Sequence, residues 1–153
     1  MLNSGSMKAH GYTNIYHQGQ VLWIRVQGGI NLEFSEQYRD SVISAATEVS
    51  KEPWIRVTDI REWQLGGPEI IPALNQLMRW CEEHNMAHSI NLVSMENLQV
   101  HMLDQMMQGV SRHSERHVLK TLDDTLDLLQ HLSHPVDSTP LLTALYPELN
   151  TGN

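Results

Sequence analysis

Cysteine is nearly missing from this chain: Cys81 is the one thiol in 153 residues. A single thiol excludes an internal disulfide and fits a reducing compartment. Positive charge is also scarce, with 10 Lys and Arg against 18 Asp and Glu and a formal net charge of −8. That balance argues against nucleic acid and anionic membrane surfaces, which both select basic faces. Long apolar runs are absent: none reaches the ~18 residues of a membrane span. The opening "MLNSGSMKAH" has no apolar centre of the signal-peptide kind. A cytoplasmic location is therefore expected, with residues 1–11 as a flexible N-terminus. Glycine-rich phosphate loops are missing too. Gly28-Gly29 and Gly66-Gly67 stand without the further glycines and the Lys-Ser/Thr that cradle a phosphate.

What remains is an ordinary globular composition, 41% hydrophobic, long enough for one domain with a real core. "YTNIYHQGQVLWIRVQGG" reads as two short strands turning at Gly19. "NLEFSEQYRDSVISAATEVSKE" places Phe34, Tyr38, Val42, Ala45 and Val49 at helical spacing. "WIRVTDI" is β-branched and reads as a strand. The next helix is marked by Pro68. Pro72 fits only in its first turn, which puts the start near residue 70. "HSINLVS" is a strand and "MENLQVHMLDQMMQG" a helix, with Leu98, Met102, Leu103 and Met106 on one side. "RHVLKTL" is the last strand and "TLDDTLDLLQHL" the last full helix, Thr121 and Asp124 resembling a capping box. The tail, 134–153, is expected to hold one helical turn near Leu141 to Tyr146. The order β-β-α-β-α-β-α-β-α predicts an α/β single domain. Its sheet has about five strands, mostly parallel, with an antiparallel edge strand and about four helices.

The opening hairpin, the long helix after it, "WIRVTDI" with its loop and helix, and the closing "HVLKTLDDTLDLLQHL" together resemble the SpoIIAA-like group. That group shares its fold with STAS domains (anti-sigma-factor antagonists) and, more distantly, CRAL-TRIO lipid-binding domains. The resemblance covers roughly residues 12–133 and lies in the pattern of elements more than in a sharp motif. It implies a non-enzymatic protein-interaction or regulatory module, or alternatively a small apolar-ligand or lipid carrier. Many anti-sigma-factor antagonists switch by phosphorylation of a Ser or Thr at the start of the helix after the third strand, in Asp-Ser-Ser-Gly or a similar motif. The matching segment here is "DIREWQLGGPEIIP". Asp59 is present, but no Ser or Thr occurs between Asp59 and His88. The hydroxyl that the switch needs is missing. Glu69, near the helix start, could mimic a phosphoserine; the plainer reading is an acidic residue in a first turn.

Other chemistries find little support. Asp59 at a strand end suggests a phosphoaspartate receiver, but the additional acids for Mg²⁺ are lacking after the earlier strand. His113 and His117 are four apart in a segment read as extended, so they would stand ~13 Å apart at ~3.3 Å per residue. No carboxylate or thiol completes a histidine set at ligand spacing along the chain, so no metal is expected. Cys81 lies on the apolar stripe of its helix and reads as core. Trp63 falls off every periodic face. It reads either as an exposed contact in the loop or as a ring folded over the sheet end. The candidate binding residues are Asp59, Arg61, Trp63, Gly66, Gly67 and Glu69, with no catalytic residue and no cofactor. The expected partner is a protein, with a second copy of the chain or a small apolar ligand as alternatives.

Overall fold

Gly19 decides the first turn. Its φ of 58° suits a residue without Cβ, and it folds β1 (Gly11–Gln18) antiparallel onto β2 (Val21–Gly29). The protein is described by a computed structural model over residues 11–64 and 66–150. Asn31 ends the second loop by accepting the Phe34 amide at 2.8 Å, and α1 (Leu32–Val49) follows. β3 (Trp54–Gln64) returns parallel to β2. Pro68–Ile70 forms a 3₁₀ turn that leads into α2 (Ile71–Glu83), with Pro72 in its first turn as expected. β4 (Met86–Leu92), α3 (Glu96–Met106) and β5 (Glu115–Leu119) add the last two parallel strands. Thr121 caps α4 (Leu122–His131) by accepting the Asp124 amide at 3.0 Å.

The strands lie in the order β1-β2-β3-β4-β5, so the sheet is mixed with one antiparallel edge pair. Alternation sorts the side chains into two cores. Leu22, Ile24, Val26 and Trp54 face α1, α2 and α3; Val21, Trp23, Ile55 and Val57 face the other way. Cys81 is fully buried in the first core, as its position on the stripe indicated.

Three expectations need correction. The tail is more than one turn: α5 (Ser138–Leu145) makes a fifth helix, followed by a 3₁₀ turn at Pro147–Asn150. It closes the second core with Leu141, Leu145 and Tyr146. The apolar spacing of its short run was too brief to reveal this. Leu98, in the first turn of α3, leaves the helical stripe and is exposed. The strand read as "WIRVTDI" runs on to Gln64, so Arg61, Glu62 and Trp63 belong to β3 and not to a loop. The expected flexible segment lies outside the described residues except for Gly11, which is already in β1.

Candidate functional site

The C-terminal ends of the parallel strands carry the residues singled out from the sequence. A β-bulge arranges them. Arg25 pairs with Asp59 but Gln27 pairs with Glu62, so β3 has one residue too many at Ile60-Arg61. The bulge shifts the side-chain parity. Asp59, Arg61 and Glu62 all reach the α5 side, and Trp63 turns into the first core at 6% exposure. This settles the two readings of Trp63 in favour of the buried one. The extra residue hides the aromatic from period-2 counting, and no signal in the sequence marks a bulge there. The bulge's carbonyls are satisfied from α3 and the turn before it: Gln99 Nε2 donates to Ile60 O at 2.7 Å and Ser94 Oγ to Arg61 O at 2.8 Å. Gln99 Oε1 also accepts the Ser94 and Met95 amides. One buried amide thus pins the entry of α3 to the end of β3.

On the α5 side the bulge anchors a buried clasp. Asp59 accepts Arg61 Nε at 2.9 Å and Nη2 at 2.8 Å. Tyr146 donates its hydroxyl to Asp59 Oδ2 at 2.6 Å and accepts Trp23 Nε1 at 3.0 Å. Arg25 stacks on the Tyr146 ring at 4.5 Å and donates to Leu145 O, Glu62 and Glu148. Burial pushes the Asp59 carboxyl upward, but its hydrogen bonds from Arg61 and Tyr146 outweigh that and hold it below the usual range. Burial and the neighbouring Asp59 push the Tyr146 phenol well above its usual range. Asp59 is therefore a buried structural acceptor. Tyr146, 87 residues away, carries no local signal in the sequence because its partner is set by tertiary packing.

Gly66, Gly67 and Glu69 form the turn into α2. A Cβ on Gly66 would lie 2.2 Å from the Ile30 carbonyl oxygen, so two loop backbones meet there and only glycine fits. The Glu69 carboxylate folds over Gly67, in the place its Cβ would take. The six candidate residues are thus divided among a buried clasp, a core ring and a surface turn.

Exposed apolar side chains also occur beyond that turn. Five large apolar side chains stand exposed among the described residues: Tyr12, Leu32, Met95, Leu98 and Leu149. Leu32 opens α1, Met95 and Leu98 open α3, and Leu149 borders a groove with Arg25, Arg61 and Glu62. Leu32 therefore follows the C-terminal end of β2, Met95 and Leu98 that of β4, and Leu149 lies beside the ends of β2 and β3 on the α5 side.

Behind the rim, a cavity of about 30 Å³ lies between the sheet and α2 and α3, lined by Arg56, Trp63, Met78, Asn91 and Leu103 among others. Arg56 Nε, Trp63 Nε1 and Asn91 Oδ1 have no hydrogen-bond partner there among the described residues. At about 10–15 Å³ per site this volume suits two or three waters, and those atoms are apt partners for them. An acyl chain would need α2 and α3 to separate.

Elsewhere, histidines meet that the sequence kept apart. His88 on β4 and His117 on β5 approach to 3.0 Å between ring nitrogens, with Glu115 beside them. The expectation that no carboxylate completes a histidine set is corrected here. Spacing along one chain segment does not reveal cross-strand register.

No family model matches the chain, and no curated protein matches it. Solved structures do. An anti-sigma factor antagonist from Mycobacterium paratuberculosis is similar at 13% identity and a TM-score of 0.52, over 78% of this chain and 94% of that one. An uncharacterised protein with a SpoIIAA-like fold from Shewanella loihica is similar at 18% identity and a TM-score of 0.59, over 78% of this chain and 93% of that one. The fold is SpoIIAA-like.

Proposed function

We propose that the chain is a regulatory module that works by binding another protein, without catalysis and without the Ser/Thr switch. The observation that carries this reading is the apolar rim of Leu32, Met95, Leu98 and Leu149 on an otherwise acidic protein. Isolated exposed apolar residues are ordinary, but several at the same end of one sheet suit a contact surface. Glu62 and Glu69 flank it, so the fitting partner is a protein patch with an apolar centre and a basic margin. In this reading Gly66 and Gly67 shape the turn, Trp63 stiffens it from behind, and Asp59 and Arg61 hold the strand end. The likeness to an anti-sigma factor antagonist supports a protein partner, and the missing hydroxyl between Asp59 and His88 supports constitutive binding. A cytoplasmic setting fits the single thiol.

The test uses a photo-crosslinking residue in place of Leu98, with the same residue in place of Glu52 at the opposite end of the sheet as control. A discrete protein adduct from position 98 only, competed by unlabelled protein, is expected. The purified partner should then lose at least about tenfold in affinity on Met95→Asp plus Leu98→Asp, since ~1.4 kcal/mol is one decade. An adduct consisting of the chain itself would make the rim a dimer contact. Equal labelling from both positions would overturn the reading.

A further inference from the structure

We propose that His88, Glu115 and His117 form a three-ligand site for a divalent transition-metal ion of the size of Zn²⁺. The placement follows from register. β4 and β5 are parallel, with His88 opposite Glu115 and Ile90 opposite His117. Positions 88, 115 and 117 therefore share one face of the sheet, that of Ile90 in the second core. The two imidazoles and the carboxylate converge from neighbouring strands at the open edge.

The geometry fits coordination. His88 Nδ1 and His117 Nε2 are 3.0 Å apart. Glu115 Oε1 lies 3.7 Å from the first and 4.0 Å from the second. A triangle with these sides has a point about 2.1 Å from every corner, which is the length of a Zn–N or Zn–O bond. A hydrogen bond between the imidazoles accounts for the shortest side alone. It gives no reason for one carboxylate oxygen to sit within 4.0 Å of both nitrogens.

The donor set is two imidazoles and one carboxylate, which suits Zn²⁺, Co²⁺ or Ni²⁺ more than Ca²⁺ or Mg²⁺. Both histidine side chains are about one-fifth exposed and Glu115 is 69% exposed. The site is therefore held on the protein side and open on the other, leaving a coordination position for water or an outside donor.

Calorimetric titration of the untagged, chelator-stripped full chain with Zn²⁺ tests this. One equivalent with a dissociation constant in the micromolar range or tighter is expected, and Co²⁺ should give the visible absorption of a four- or five-coordinate N/O site. His88→Gln and His117→Gln should each weaken binding at least about thirtyfold and Glu115→Gln about tenfold. His113→Gln, on the segment before β5, should change it less than about twofold. Glu115 is exposed enough that its variant keeps the fold, which circular dichroism confirms, so the test survives if a histidine variant does not fold. Wild-type binding weaker than millimolar would overturn the proposal. So would binding that none of the three substitutions alters, which would place the ion on other histidines.

Discussion

Tyr146→Phe is the most informative single change, because it deletes one oxygen from a fully buried network and leaves the ring's packing intact. That oxygen serves Asp59 Oδ2 at 2.6 Å and Trp23 Nε1 at 3.0 Å. Trp23 is wholly buried, so its N–H would be left without a partner, which costs ~1–3 kcal/mol. Asp59 keeps Arg61 but loses one charge-assisted bond, of the kind worth ~1.5–3 kcal/mol. The two losses overlap, and ~2–4 kcal/mol in total is a fair expectation. For a chain of this length that lowers the melting temperature by roughly 4–16 °C at ~2–4 °C per kcal/mol. Urea denaturation should show a lower midpoint at unchanged slope.

The same variant should alter the pH profile at both ends. Asp59 has a lowered folded pKa, so its contribution is present above about pH 4 and is lost as pH falls through the lower folded value. Tyr146 has a raised folded pKa, so its contribution is whole below about pH 10 and is lost as pH rises beyond that. Tyr146→Phe should flatten the alkaline limb and shrink the acid one. Melting within about 1 °C of wild type, with both limbs unchanged, would refute the clasp as argued.

Trp63→Ala should destabilise by ~3–5 kcal/mol, as for other buried aromatic truncations, read by urea denaturation. Glu82 is 6% exposed and accepts the His113 and Ser114 amides and the Ser114 hydroxyl. Burial raises its pKa but those bonds win and lower it, so its contribution is present above about pH 4.3 and lost below. Glu82→Ala should cost ~2–4 kcal/mol and speed hydrogen exchange at the Ser114 amide. Arg56 is 3% exposed, and among the described residues its Nη1 donates to Met78 Sδ and Cys81 Sγ. Arg56→Met should be neutral or stabilising by up to about 2 kcal/mol, since it removes a buried charge with no direct ion pair, while Glu82, which loses only its through-space attraction to Arg56, keeps its hydrogen bonds from His113 and Ser114. A loss of stability above about 2 kcal/mol would mean that Arg56 is better partnered than these contacts indicate.

Local signals in the sequence carry directly into the structure. Gly19 in its turn, Pro72 in a first turn and Thr121 at a cap each act within four residues. The features that failed to appear depend on distance or register. Trp63 was ambiguous because one extra residue in β3 inverts its parity. The grouping of His88 with His117 depends on which residue of β4 faces which residue of β5. Asp59 looked chemical because a carboxylate at a strand end often is; its partner Tyr146 lies in a tail whose helix is only eight residues long.

The clasp also sets an order of events during synthesis. Asp59 and Tyr146 are separated by 87 residues, which a ribosome covers in roughly 4–17 s at about 5–20 residues per second. The neighbouring strand pairs and the core under α1, α2 and α3 can assemble as they emerge. The opposite face, with Trp23 and Asp59 still uncovered, has to wait for the final helix. For those seconds the nascent protein presents an apolar sheet surface with a buried acid not yet paired to the tail. A chaperone that holds the chain would act on that face, and a message cut short before residue 138 would leave it open for good.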